Sequence, residues 1–369
     1  VPTSKKNPKA LHAQLLLAWY KRHQRKLPWR TTLDPYKIWI SEIMLQQTQV
    51  ESVRPYYERF VKQFPNVKAL AEAPLDTILK AWEGLGYYTR ARHLHTAAQL
   101  ILKTHKARIP DKKEVLLSLP GIGPYTAGAI LSIAYNQDEA AVDGNLQRVL
   151  ARLFNVDKDL RERETQKLLW DLARQLLPRG QAGLFNQAMM DLGATICVPQ
   201  RPRCLICPLT QSCEARKVGR QNFLPVKTPK KAIPHYEIAI GLIFKRNKIL
   251  IAQRPAQGLL AGLWEFPGGK KEDQETLEMC LSREIREELD ISVNVENCLT
   301  TVKHAYSHFK VTIHAFRCRF IEGKPKTIGC QNWKWVTLAE LSTYAFPRAN
   351  HKIIRLLKTS HIKNATKPA

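Results

Sequence analysis

The sequence predicts two folded parts, an all-α module built around a helix-hairpin-helix and, after it, a smaller α/β domain. Three observations lead there. From Ala10 to Leu102, and again on to Phe154, apolar residues recur at helical spacing on both sides of a two-glycine turn at Leu119 to Gly123. Between Glu214 and Glu237 no residue is acidic, while Arg216, Lys217, Arg220, Lys227, Lys230 and Lys231 are basic and three prolines interrupt. That stretch reads as a linker over 217–234, either lying along a polyanion or simply solvated. From Tyr236 the period shortens to strand-like runs, Ile238 to Phe244 and Ile249 to Ala252, about a turn at Lys245 to Asn247. The boundaries follow as 1–216 for the helical module, 235–358 for the second domain, and a polar, disordered tail over 359–369.

Charge narrows the partner. In 369 residues, Lys and Arg number 58 against 32 Asp and Glu, a formal net charge of +26. A polyanion is implied, and nucleic acid fits better than a membrane because neither an amphipathic basic helix nor a lipidation signal is present. Without an apolar run of membrane-spanning length or a secretory pattern, a soluble, intracellular protein of the bacterial cytoplasm and nucleoid is expected.

The elements follow in order. Leu11, Leu15, Leu17 and Trp19 open an amphipathic segment that Pro28 breaks, leaving Trp29 and Arg30 at its end. Tyr36 to Val50 carries Glu42 on the same face as Ile38, Trp39 and Leu45. A carboxyl so placed is desolvated and raised in pKa, as a proton donor near neutral pH requires, although a Glu at the edge of an apolar stripe looks the same. In Gly84-Leu85-Gly86-Tyr87-Tyr88-Thr89-Arg90, two glycines and paired aromatics sit at a helix junction, as in a loop that approaches DNA or in a packing turn. The run Lys113 to Leu119 reads as a short helix and Tyr125 to Tyr135 as a longer one. Between them Gly121, Ile122 and Gly123 turn the chain, and Pro124 suits a first helical position. Such a turn is a pocket for a DNA phosphate or a plain packing corner. Asp143 precedes the apolar-periodic run Leu146, Val149, Leu150, Leu153, Phe154, at a helix N-terminus that favours its ionised form.

Cys197, Cys204, Cys207 and Cys213 follow with spacing C-x6-C-x2-C-x5-C. Four thiolates so close can surround one centre, zinc or iron–sulfur by spacing alone, whereas disulfides suit an intracellular protein poorly. Arg201 and Arg203 would make the loop a positive surface. Cys280, Cys298, Cys318 and Cys330 lack ligand spacing and read as ordinary residues.

The order LPGIG, eighteen residues, VDGN resembles the helix-hairpin-helix glycosylases of the endonuclease III superfamily, in which this Asp is essential. With LQQTQV at 45–50 and the cysteine loop, residues 10 to 216 resemble the adenine DNA glycosylases of the MutY kind. Those enzymes remove adenine mispaired with 8-oxoguanine. The resemblance implies a [4Fe–4S] cluster on the four cysteines and a duplex DNA partner carrying A:8-oxoguanine or A:G, bound by a monomer. Glu42 would protonate the leaving adenine, Asp143 would stabilise an oxocarbenium-like sugar electrostatically or covalently, and Tyr125 and Asn145 would order the site around Asp143. Trp29, Arg30 and Gln187 would line the pocket of the extruded base, Gln47 and Tyr87 would wedge into the stack, and Thr48 and Leu85 would lie near the lesion. Bifunctional relatives carry a lysine where Tyr125 stands, so hydrolysis without strand cleavage is implied.

In the second domain Gly269, Glu275 and Arg283 to Ile291 resemble the Nudix box G-x5-E-x7-R-E-U-x-E-E-x-G-U, where U is apolar. Only Asp290 departs, replacing a glycine after a helix. Glu284, Glu287 and Glu288 share a helix face and repel one another unless Mg²⁺ or neighbouring arginines offset the charge. The resemblance implies a reader of 8-oxoguanine through Tyr306, Ser307 and His308. Nucleotide-pyrophosphate hydrolysis with Mg²⁺ is the alternative.

Overall fold

The computed structural model describes residues 8–228, 232–306 and 308–365. Its contacts divide the chain into two compact units, Val1–Glu72 with His93–Lys230, and Ala73–Arg92 with Lys231–Ala369.

The first unit is helical: α1 (Pro8–His23), α2 (Pro35–Leu45), α3 (Val50–Gln63), α4 (Val67–Glu72), most of α6 (Thr89–His105), α7 (Lys113–Ser118), α8 (Pro124–Ala134), α9 (Gly144–Leu153), α10 (Arg163–Leu176), α11 (Ala182–Thr195) and the short α12 (Glu214–Lys217). Local chemistry sets the ends that matter. Asp34 caps α2 by accepting from Tyr36 N at 2.9 Å, with Pro35 at the first helical position. Gly123 and Pro124 do the same for α8 without a side-chain cap. Leu16, Leu150, Leu169, Phe185, Ala188 and Leu192 form one buried core joining α1, α9, α10 and α11. Gly128 lets α8 pack tightly, since a Cβ there would stand 2.0 Å from the Ala140 carbonyl oxygen. No helix among the described residues is long and apolar enough to cross a membrane.

The second unit is a sheet between helices. Strands β1 (His235–Lys245), β2 (Lys248–Gln253), β3 (Trp264–Glu265), β4 (Gly268–Lys270), β5 (Ser292–Ala305), β6 (Lys310–Glu322) and β7 (Asn332–Val336) pair in the order β3-β2-β1-β6-β5, with β4 on β1 and β7 on β2. The β1 and β6 pair is parallel, from His235 opposite Lys310 to Phe244 opposite Arg319. One face carries Phe266, Phe346, Ile353 and Leu357, with α14 (Arg348–Ala365); the other carries Cys280, Leu281, Ile285 and Leu289, with α13 (Leu277–Leu289).

Three observations bear on the expected boundaries. Residues 73–92, holding α5 (Leu75–Trp82) and the two-glycine loop, fall in the second unit, because their polar partners are there: Gln253 donates to Asp76, Lys80 to the Tyr344 carbonyl, and Phe346 N to Glu83. The tail expected to be disordered from Thr359 continues α14 to Ala365, since neither glycine nor proline interrupts that helix and Thr359 Oγ1 donates back to Arg355 O; 366–369 lie outside the described residues. The basic linker, as far as Thr228, is no free tether. Leu224 is buried, its carbonyl accepts from Arg152, and Thr228 donates to Asp159 through both N and Oγ1.

Candidate active site

A cavity of about 790 Å³ opens in the helical unit, and Trp29, Arg30, Glu42, Gln47, Thr48, Tyr125, Asn145, Asp143 and Gln187 all border it. Positions scattered over more than 150 residues of sequence thus converge.

Glu42 projects from the buried face of α2 and is 4% exposed. Its Oε2 accepts from the Tyr125 hydroxyl at 2.5 Å. Burial pushes the carboxyl up to about 7; the Tyr125 bond works against this, and the charge of Asp143 adds to it. The Tyr125 ring thus reaches across from the first turn of α8 to meet Glu42 on α2.

Asp143 caps α9. Its Oδ1 accepts from Leu146 N at 2.7 Å and its Oδ2 from Asn145 Nδ2 at 2.9 Å. The expected donors are in place, yet desolvation outweighs them and leaves the carboxyl above its ordinary range in the free protein. Arg148 extends the network, donating to Asn145 Oδ1 at 2.9 Å, to Gly193 O at 2.7 Å and to Cys197 O at 2.8 Å. Hydrogen bonds thus run from the cysteine loop to Asp143.

Arg30 is not a bare cation in the pocket wall. Its guanidinium grips Asp191 through both oxygens, at 2.5 and 2.8 Å, and Arg25 binds the same carboxylate through Nε at 2.6 Å and its backbone N at 3.1 Å. Asp191 is fully buried, and the two arginines hold its pKa below the usual range against burial. The sequence reading missed Asp191, Arg25 and Arg148; its one clue was a lone carboxylate in the apolar run of α11. Trp29 is buried edge-on to Tyr57 at 5.3 Å. Gln187 accepts from Tyr20 at 3.3 Å. Lys227, also missed, brings an exposed amine to the cavity wall. Gln47 is exposed at a φ of 55°, immediately after α2.

In the hairpin, Gly121 has a φ of 79° and a Cβ there would press on His93 at 2.8 Å, while Ile122 is buried and the space beside Gly123 is open. Only the glycines are thus presented outward, and Ile122 is an anchor beneath them.

Cys197, Cys204, Cys207 and Cys213 line one small cavity of about 30 Å³ and are all free thiols. Among the described residues no group of three or more His, Cys, Asp or Glu is arranged to hold a metal ion. The donor set nevertheless fits an all-thiolate centre. All four cysteines line one space, and Arg152 clamps the loop by donating to the carbonyls of Cys197, Val198 and Pro199 and to Cys197 Sγ.

Family models match both units. One described as HhH-GPD superfamily base excision DNA repair protein covers residues 40–175, and one described as NUDIX domain covers residues 239–356. The chain is 35% identical over 357 residues to the adenine DNA glycosylase of Buchnera aphidicola subsp. Acyrthosiphon pisum, covering 95% of this chain and 98% of that protein. The chain belongs to the adenine DNA glycosylases. The human adenine DNA glycosylase is 34% identical over 397 residues, 92% of this chain and 73% of its own. Among solved structures, a thermostable thymine-DNA glycosylase is similar at a TM-score of 0.52 and 30% identity, covering 57% of this chain and 97% of that one.

The second unit of the glycosylase keeps the Nudix pattern but fills its acidic face from within. Arg283 donates to Glu275 at 2.9 Å, to Glu284 at 3.2 Å and to Glu287 at 3.1 Å. Glu288 turns inward, accepts from Gly268 N at 3.3 Å, and is pushed by burial up to about 8. A Cβ on Gly269 would stand 2.2 Å from the Glu284 carboxyl carbon, so a larger residue there would displace the end of that side chain. Asp290 adopts the left-handed conformation, at φ 54° and ψ 45°, that the missing glycine would have taken. Tyr306 is partly buried, edge-on to His304 at 4.6 Å and tilted on Phe309 at 4.8 Å, so its ring is half committed to the core. His308 is exposed in a bend, and Ser307 lies outside the described residues.

Proposed function

We propose that the enzyme hydrolyses the N-glycosidic bond of adenine paired with 8-oxoguanine or guanine in duplex DNA and leaves the strand intact. The observation that carries this is the pairing of unlike carboxyls in one cavity. Glu42 is pushed up to about 7 and so keeps its proton on about half of the molecules at neutral pH, whereas three donors gather on Asp143.

A nucleotide flipped out of the stack places its base against Trp29, Arg30 and Gln187. Glu42 gives its proton to a ring nitrogen of adenine, and the electrons of the breaking C–N bond leave with the base. Positive charge then grows on the sugar. Asp143, as carboxylate, stabilises that charge; its own elevated pKa in the free protein falls as the cationic sugar forms beside it. Water adds to the sugar and its proton returns to Glu42. Tyr125 holds the Glu42 carboxyl in place, and Asn145 does so for Asp143. With Tyr125 where a nucleophilic amine would stand, no imine route is built into that position.

Cys197, Cys204, Cys207 and Cys213 would hold the [4Fe–4S] cluster. Bound by those thiolates, the group would stiffen the loop that carries them. Arg148 ties that loop to Asn145, and Arg152 holds its carbonyls at 197–199. The glycines at 121 and 123 would take a DNA phosphate. Gln47 and Tyr87 would enter the stack, Thr48 and Leu85 would meet the opposite base, and Tyr306, Ser307 and His308 would read 8-oxoguanine.

Excision assayed on duplexes pairing A with 8-oxoguanine, G or T tests the reading. Release of adenine from the first two, with no strand scission before alkali and no borohydride-trapped adduct, is expected. Strand scission or a trapped adduct would overturn the monofunctional reading and direct attention to Lys227, whose amine borders the cavity.

A further inference from the structure

Glu83 is the last residue before the two-glycine loop, and it is a hub within the second unit. Its side chain is 14% exposed. Oε1 accepts from Phe346 N at 2.9 Å and lies 3.3 Å from His351 Nε2, an ion-pair contact and not a well-angled hydrogen bond. Oε2 accepts from Lys80 Nζ at 2.5 Å, and Lys80 in turn donates to Tyr344 O at 2.9 Å. One residue on, Gly84 N donates to the Tyr88 hydroxyl at 3.0 Å, and that hydroxyl reaches Phe346 O at 3.4 Å. Both ends of the turn are therefore pinned to the segment 344–346 and the start of α14.

Between these pins the loop presents Tyr87. Its φ is 48°, a conformation uncommon for a tyrosine, and its side chain is 41% exposed. The ring lies over the Arg90 guanidinium at 5.4 Å, with Trp82 also 5.4 Å from that guanidinium. Trp82 Nε1 and Arg90 both donate to Gly86 O, each at 3.1 Å. An exposed aromatic in a sparsely populated backbone conformation persists only where its surroundings impose it.

We propose that Glu83 is a positioning residue for excision, fixing the Gly84 to Arg90 loop so that Tyr87 is presented to DNA. The inference rests on the reading of Tyr87 as a stack-entering residue. Its consequence is that the second unit governs the reaction through the loop it holds as well as through the lesion-reading residues. It also gives a reason for residues 73–92 to pack with a domain that follows them by more than 130 residues in the sequence.

The test uses the full chain and four variants: Glu83→Ala, Glu83→Gln, Tyr87→Ala and the double variant Glu83→Ala with Tyr87→Ala. Glu83→Gln keeps an acceptor for Phe346 N and keeps the unit folded. Two measurements are made: amide hydrogen exchange over residues 84–90 in the free protein, and excision from an A:8-oxoguanine duplex separated into KM and kcat. Glu83→Ala should speed exchange in the loop but not in α2 or α8, and lower kcat/KM about tenfold. Glu83→Gln should recover most of both. The double variant should be no slower than Tyr87→Ala alone, because the two act through one element. Unchanged loop exchange in Glu83→Ala would overturn the proposal, as would losses that add in the double variant. If Tyr87→Ala excises normally, the reading of Tyr87 fails and the proposal falls with it. If Tyr87→Ala is slow while Glu83→Ala is not, only the proposal fails.

Discussion

Each unit gathers carboxylates, and the two gatherings could hardly be treated more differently. In the helical unit Glu42 and Asp143 face an open cavity of about 790 Å³, one capped by a tyrosine hydroxyl and the other by backbone and amide donors, with no arginine gripping either. In the Nudix-like unit Glu275, Glu284 and Glu287 converge on the single guanidinium of Arg283, and Glu288 is folded inward. Arginine does appear in the first cavity, but there Asp191 takes the fork of Arg30 and the Nε of Arg25. The carboxyls of the first cavity are left with room beside them and no cation bonded to them, whereas those of the second unit are neutralised by an internal cation.

The strongest way to break this contrast is to remove charge from each cluster in turn. Asp143→Asn keeps the shape and should cost excision at least about 10²-fold while duplex binding persists. Glu42→Gln should be comparably slow, since the amide has no proton to give. Glu284→Gln and Glu287→Gln should leave the excision rate unchanged in the same assay. Near-normal excision by Asp143→Asn, or a loss in the Nudix-helix variants as deep as that of Glu42→Gln, would erase the distinction.

The next effect is read against pH. On the proposal that Glu42 is the acid, its elevation to about 7 means that single-turnover excision should fall above that pH, approaching tenfold per pH unit. Stability runs in the same direction. The folded protein binds this proton more tightly than the unfolded chain does, so stability is greatest below the unfolded value near 4.5 and declines as pH rises through about 7. Glu42→Gln should flatten that part of the stability profile. A wild-type rate that rises steadily from pH 6 to 9 would remove Glu42 from the acid's role.

Much of the first cluster was legible in the sequence because its determinants are local. Glu42 shares a helix face with its apolar neighbours, and Asp143 sits one residue before a helix. What stayed hidden depends on pairs distant in sequence: Tyr125 with Glu42, Asp191 with Arg25 and Arg30, and Arg148 with the cysteine loop. Periodicity carries no signal for such pairs. The second cluster shows the same limit, since the box locates Arg283 and the three glutamates but not that the arginine bridges them. The packing of residues 73–92 stayed hidden for a related reason. Their helical pattern is indistinguishable from that of their neighbours, and only Asp76, Lys80 and Glu83 meeting partners in the second unit reveals where they pack.

A smaller effect sharpens the Nudix-like half of the comparison. Arg283→Ala leaves Glu275, Glu284 and Glu287 facing one another without their cation and should lower the thermal midpoint by about 5 °C. Millimolar Mg²⁺ should raise the midpoint of that variant and leave the wild type unmoved, because in the wild type the guanidinium already fills the role. A wild-type protein stabilised by Mg²⁺, with nucleotide hydrolysis to match, would show the acidic face to be open after all.

The smallest effect concerns Asp290, the one departure from the box. It closes α13 in the left-handed conformation, which a side chain resists and a glycine does not, and its carboxylate accepts from Lys326 Nζ at 2.6 Å. Asp290→Gly relieves the first and forfeits the second. The ion pair is exposed on both sides, with side chains 64% and 49% accessible, so water and salt screen it heavily. Relief should therefore win narrowly, raising the thermal midpoint by no more than about 3 °C. The gain should grow with added salt in the wild-type comparison, because salt weakens only the interaction that the variant lacks. Excision should not change, since Asp290 stands outside the Arg283 network and lines no part of the cavity that holds Glu42. A fall in the midpoint would mean that the Lys326 contact outweighs the backbone preference, and that the Asp in this sequence is a stabilising replacement for the glycine of the pattern.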